Sequence, residues 1–91
     1  MATVVVTLKI MPESVDTNLE ELSASATEKI SAFGGNVGKT DTEPIAFGLK
    51  SLLLMFSMPE EKGSTEDLEK QISELPGVRG VQVIDVRRTV G

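Results

Sequence analysis

Leu49-Lys50-Ser51-Leu52-Leu53-Leu54-Met55-Phe56-Ser57-Met58 is the most apolar stretch of the chain, and the fold turns on how it is read. Taken with a period of two, it places Leu52, Leu54, Phe56 and Met58 on one face and Leu53 and Met55 on the other. A strand that is apolar on both faces belongs in the centre of a sheet. Its natural companion lies near the N-terminus, where Thr3 to Ile10 sets Val4, Val6, Leu8 and Ile10 against Thr3, Val5, Thr7 and Lys9, the alternation of a half-buried strand. Between these two the pattern changes twice. Pro12 to Asp16 breaks the first strand, and Thr17 with Glu20 has capping-box spacing ahead of Leu19, Leu22, Ala26, Ile30 and Phe33, one stripe at helical spacing that ends at Gly34-Gly35. Asn36 to Glu43 is short and polar, an edge strand whose Lys39 and Asp41 blunt an exposed edge, and Pro44 closes it.

Beyond Met58, a turn over Pro59 to Gly63 leads to Ser64 or Thr65 as cap of a second helix with the stripe Leu68, Ile72 and Leu75. Pro76-Gly77 stops that helix, and Gly80 to Val90 supplies a last strand. The order β-α-β-β-α-β predicts an α+β fold, the ferredoxin-like plait: a four-stranded antiparallel sheet with strands one and three in the centre and both helices on one face. Val5, Thr7, Lys9, Leu53 and Met55 then look away from the helices and form a small apolar patch edged by charge.

Length and composition bound the function. A chain of 91 residues buries roughly 60 to 65 % of its unfolded surface, enough for one modest core, so residues 1–91 are expected to form a single domain. No apolar run approaches the ~20 residues of a membrane span, the longest being Leu52 to Phe56, and no signal-type segment opens the chain. A cytoplasmic protein without membrane contact is expected. The absence of Cys and His excludes disulfides, thiolate zinc sites and imidazole catalysis, and no cofactor is expected. Fourteen acidic and nine basic residues give a net charge of −5, which disfavours direct contact with nucleic acid. The acids Glu60, Glu61, Glu66, Asp67, Glu69 and Glu74 face only Lys62 and Lys70, as a solvated helix face or as a surface that steers a basic partner.

Most chemical motifs fail on spacing or context. Gly34-Gly35-Asn36-Val37-Gly38-Lys39-Thr40 looks like a phosphate-binding loop, but Phe33 stands where the motif needs its first glycine, and the run follows a helix instead of preceding one. Adjacent acids such as Glu20-Glu21 and Glu60-Glu61 diverge into water and lack the burial that raises a pKa. A sheet that reads RNA needs aromatics on its open face, and the only one on the central strands, Phe56, belongs to the core stripe. What remains is Pro44-Ile45-Ala46-Phe47-Gly48-Leu49-Lys50, which puts a phenylalanine in a turn between small neighbours. Phe47 either stands exposed as a binding anchor or folds back over the end of the core.

That same run, followed by Ser51-Leu52, is densest in a wider resemblance that includes Glu60-Glu61-Lys62-Gly63, Asp67-Leu68-Glu69-Lys70-Gln71-Ile72 and Asp16-Thr17-Asn18-Leu19-Glu20-Glu21. The chain resembles the guanine-nucleotide exchange domains of translation elongation factor one beta, in their short archaeal form. The resemblance implies a monomer that binds the GTPase elongation factor one alpha, presses on its switch and phosphate-loop region, disturbs the magnesium site and so promotes replacement of GDP by GTP, with no chemistry of its own. It implies Pro44, Phe47, Gly48 and Lys50 as partner-binding residues, with Arg88 in the tail. Two departures stand out: eukaryotic members carry Trp-Gly where this chain has Val37-Gly38, and they end in a functional lysine where it reads Arg87-Arg88-Thr89-Val90-Gly91. The competing reading is a regulatory module of the same fold that dimerises through its sheet and binds a small metabolite. Because the glycine-rich run has the wrong spacing for a phosphate loop, calorimetry on the isolated chain should detect no binding of GDP or GTP. Micromolar binding would overturn this reading.

Overall fold

The computed structural model describes residues 2–62 and 65–90. Its elements are β1 (Ala2–Pro12), α1 (Leu19–Phe33), β2 (Asn36–Pro44), β3 (Lys50–Pro59), α2 (Glu66–Ser73) and β4 (Val78–Val90), with single 3-10 turns at Ala46–Gly48 and Glu60–Lys62. The strands form one antiparallel sheet in the order β2-β3-β1-β4, so the two most apolar strands are central, as their patterns require. Pairing of β1 with β3 sets Val6 opposite Phe56, Leu8 opposite Leu54 and Ile10 opposite Leu52. All six are buried, and they pack under Leu22, Ala26 and Ile30 of α1 and Leu68 and Ile72 of α2. Each such side chain contributes about 1.5–3 kcal/mol by leaving water.

The helix starts and stops have identifiable causes, and they correct two expectations. Asn18, not Thr17, caps α1: its Oδ1 accepts from the backbone N–H groups of Glu20 (3.0 Å) and Glu21 (3.2 Å). Thr17 closes the preceding turn instead, its Oγ1 accepting from Ser14 N–H. Thr65 is the first flanking residue of α2 but makes no capping bond to the backbone, because its hydroxyl bonds the Glu69 carboxylate at 3.0 Å. The other proposed cap, Ser64, lies outside the described residues. At the end of α1, Gly34 takes φ 107° and its N–H reaches the Ile30 carbonyl, while Gly35 N–H bonds the same oxygen at 2.8 Å. No basic residue occupies the last turn of α1, but the Lys62 side chain crosses it: a Cβ on Gly34 would lie 2.6 Å from Lys62 Cε and 3.0 Å from Nζ. Lys62 thus brings the positive charge that a helix C-terminus favours.

The glycine-rich run is therefore fully occupied by structure. Gly34 is a cap, Gly35 lets the backbone lie against Ile30 and Phe56, and Gly38 is the unpaired residue where Val37 pairs with Phe56 but Lys39 with Met55. β4 carries a similar irregularity, pairing Asp85 with Thr7 and Val83 with Leu8 so that Ile84 is left over. It also begins at Val78, ahead of the expected Gly80, since buried Val78 pairs with Pro12. On the face without helices, Val5, Thr7, Lys9 and Leu53 are half-buried and Met55 is exposed, the arrangement read from the alternation of β1 and β3. Across that face Lys9 Nζ lies 3.7 Å from a carboxylate oxygen of Glu43, and fully buried Ser51 donates its hydroxyl to the Glu43 carbonyl.

These packings predict opposite outcomes for two glycines of the same run. A Cβ at Gly35 would lie 2.8 Å from Ile30 Cγ2 and 3.0 Å from Phe56 Cδ2, both in the core, whereas one at Gly38 meets nothing within 4 Å. Gly35→Ala should cost about 1–3 kcal/mol by overpacking, and Gly38→Ala should stay within about 0.5 kcal/mol of wild type. Thermal melts read the difference as a drop of about 4 °C or more for Gly35→Ala alone.

Candidate functional site

The connection between β2 and β3 is a tight tip on two rigid strands. Pro44 pairs with Lys50, Ile45 N–H donates to the Leu49 carbonyl at 2.7 Å, and Leu49 N–H donates to the Ala46 carbonyl at 3.3 Å. Closing the chain in so few residues forces left-handed backbone at two of them, Phe47 with φ 62° and ψ 31° and Gly48 with φ 77°. Glycine adopts this conformation freely, but an aromatic residue pays roughly 1–2 kcal/mol for it. Phe47 is the one non-glycine residue with positive φ among those described, and it is 95 % exposed. The ring does not fold over the core. Both its conformation and its exposure oppose stability, a combination typical of residues retained for binding.

The other expected residues take distinct positions around this tip. Pro44 fixes the end of β2, and Gly48 is demanded by its φ rather than by crowding, since a Cβ there would meet only Val15 Cγ1 at 3.8 Å. Lys50 opens β3 on the side of Leu52, is exposed, and has no ion pair among the described residues. Arg88 is elsewhere. It pairs with Val4 at the far end of the sheet, level with Met58, and binds the Glu60 carboxylate at 2.7 Å. From Lys50 to Met58 along β3 is about 26 Å at ~3.3 Å per residue, so the structure separates Arg88 from the other four.

One residue escaped the sequence reading. Val15 lies in the turn between β1 and α1, 62 % exposed, against the hairpin tip. Its only sequence signal is a lone aliphatic in an otherwise polar break. Between Ser14, Val15, Thr17 and Leu19 on one side and Gly48 and Lys50 on the other is a cleft of about 180 Å³. Among the described residues no group of three or more acidic side chains is placed to hold a metal ion.

Residues 5–89, which include the hairpin and Arg88, match the family described as the EF-1 guanine nucleotide exchange domain. The chain belongs to that family. It is 44 % identical over 88 residues to the Elongation factor 1-beta of Methanothermobacter thermautotrophicus, covering 97 % of this chain and 98 % of that one. Identity to the Elongation factor 1-beta of Methanosarcina barkeri is also 44 % over 88 residues, with 97 % and 99 % covered. The ACT domain of the GTP pyrophosphokinase of Chlorobium tepidum has the same fold, with a TM-score of 0.59, 21 % identity and coverage of 88 % of this chain and 96 % of that one.

For this exchange domain, the strain at the tip makes a counter-intuitive prediction. Phe47→Gly should raise stability by about 1 kcal/mol, because it frees a left-handed position from its Cβ, while Phe47→Ala should stay within about 1 kcal/mol of wild type. Urea titrations measure both, and a loss of several kcal/mol in either would return the ring to the core.

Proposed function

We propose that this chain promotes exchange of GDP for GTP on the translational GTPase elongation factor one alpha, and that the β2–β3 hairpin tip is its docking anchor. Family membership supports the activity, and the exposed, left-handed Phe47 supports the anchor. A large apolar ring already held outside the core needs little ordering on contact, so most of its burial energy is available to binding. Pro44 and Gly48 hold the tip, and Lys50 brings a charge beside it. Residues 1–91 act as one exchange domain, as a cytoplasmic monomer that contacts neither nucleic acid nor membrane.

The action is linkage without bond chemistry. If the domain binds the nucleotide-free GTPase more tightly than the GDP-bound form, GDP is weakened by the same factor, about 1.4 kcal/mol of differential binding for each tenfold. Equal affinity for both forms would shift nothing. A standard interface covers about 800 Å² on each partner, a patch about 30 Å across, so a single GTPase can reach both Phe47 and Arg88 only along the length of the sheet. The competing reading, a dimerising regulatory module with a small ligand, rests on fold likeness alone.

Stopped-flow release of labelled GDP from the GTPase tests the anchor. Phe47→Ala should lower affinity for the GTPase some thirtyfold, the equivalent of a lost hot spot of about 2 kcal/mol, with the melting temperature nearly unchanged. Unchanged release by the folded variant would remove Phe47 from the interface.

A further inference from the structure

The cleft beside Phe47 has a chemistry of its own. Thr17 Oγ1 accepts from Ser14 N–H and Ser14 Oγ accepts from Asp16 N–H, both at 3.3 Å, which leaves each hydroxyl its own proton to donate. Lys50 lines the same cleft without an ion pair among the described residues. Two residues with a hydroxyl proton to donate and that lysine thus line one small space.

The wall above them is apolar and stiff. Val15 stands in a turn closed by Thr17 N–H to the Ser14 carbonyl, and the turn is tied to the α2–β4 connection by Glu13 N–H to the Gly77 carbonyl at 2.8 Å. A β-branched side chain on a pinned turn has little rotamer freedom to lose. Its Cγ1 abuts the hairpin tip, so a partner that covers Phe47 by more than the ring's own footprint also meets Val15.

We propose that this cleft recognises an acidic side chain flanked by an apolar one on the surface of the GTPase, with Lys50 as countercharge, Ser14 and Thr17 as hydrogen-bond donors and Val15 as a second apolar contact beside Phe47. The proposal rests on the exchange-factor reading above and adds the chemistry of the partner's docking segment. Charge makes the recognition selective. The chain carries −5 overall, so an acidic group on the partner is repelled by the domain's general field and is accepted where a cation such as Lys50 meets it.

The test measures GDP release from the GTPase across a salt series for wild type, Val15→Ser, Lys50→Met and Phe47→Ala, with melting temperatures. Lys50→Met keeps the aliphatic stem and removes the charge; it should lower kcat/KM about tenfold at low salt and flatten the salt dependence. Val15→Ser should lower kcat/KM three- to tenfold, and both variants should melt like wild type. If Phe47→Ala is impaired while either Val15→Ser or Lys50→Met exchanges at the wild-type rate, the cleft is not the recognition site described. If wild type does not stimulate release, or if Phe47→Ala equals wild type, the docking reading fails and this proposal with it.

Discussion

Everything in this domain depends on the register in which β1 meets β3. Val6 faces Phe56, Leu8 faces Leu54 and Ile10 faces Leu52, and these pairs make one continuous apolar floor for both helices. A slip of one residue would turn that floor to solvent and bring Val5, Thr7 and Lys9 under the helices. The same register fixes where β3 begins, and therefore where the β2–β3 tip projects. Core and hairpin tip are consequences of a single alignment.

The sequence made this much legible because period-two patterns in β1 and β3 are long and because their apolar faces differ in strength. Gly34-Gly35 marked a real end, since a left-handed cap needs such a residue. Pro76-Gly77 did not: α2 stops at Ser73 with Glu74 as its C-cap, so Leu75 lies beyond the helix, and Pro76-Gly77 belong to the turn that leads into β4, where Gly77 takes φ 87°. Asn18 was overlooked beside Thr17 because both are good caps and only geometry shows which oxygen reaches the free N–H groups. The bulge at Gly38 left no trace in the pattern, as one extra residue in a polar edge strand disturbs no stripe, and the one at Ile84 shows only as a three-residue step from Val83 to Val86, which pair with Leu8 and Val6.

The site was legible as composition but not as shape. Pro44 to Lys50 announced a turn with an aromatic in it, yet nothing in the letters gave the sign of φ at Phe47, which depends on how few residues join β2 to β3. Family likeness grouped Arg88 with the loop although the topology places them at opposite ends of the sheet. Val15 was hidden because a single exposed aliphatic is ordinary in any loop, and its meaning comes only from lying against Gly48.

The strained ring also bears on descent. Selection for stability alone would favour glycine or asparagine at position 47, since both enter left-handed backbone at little cost and neither exposes a large apolar surface. A lineage in which this domain lost its partner would therefore drift away from an aromatic at the tip while keeping the floor of the core intact. On the proposed anchor role, residue 47 would thus record whether a chain with this hairpin still has something to hold, independently of how well it folds.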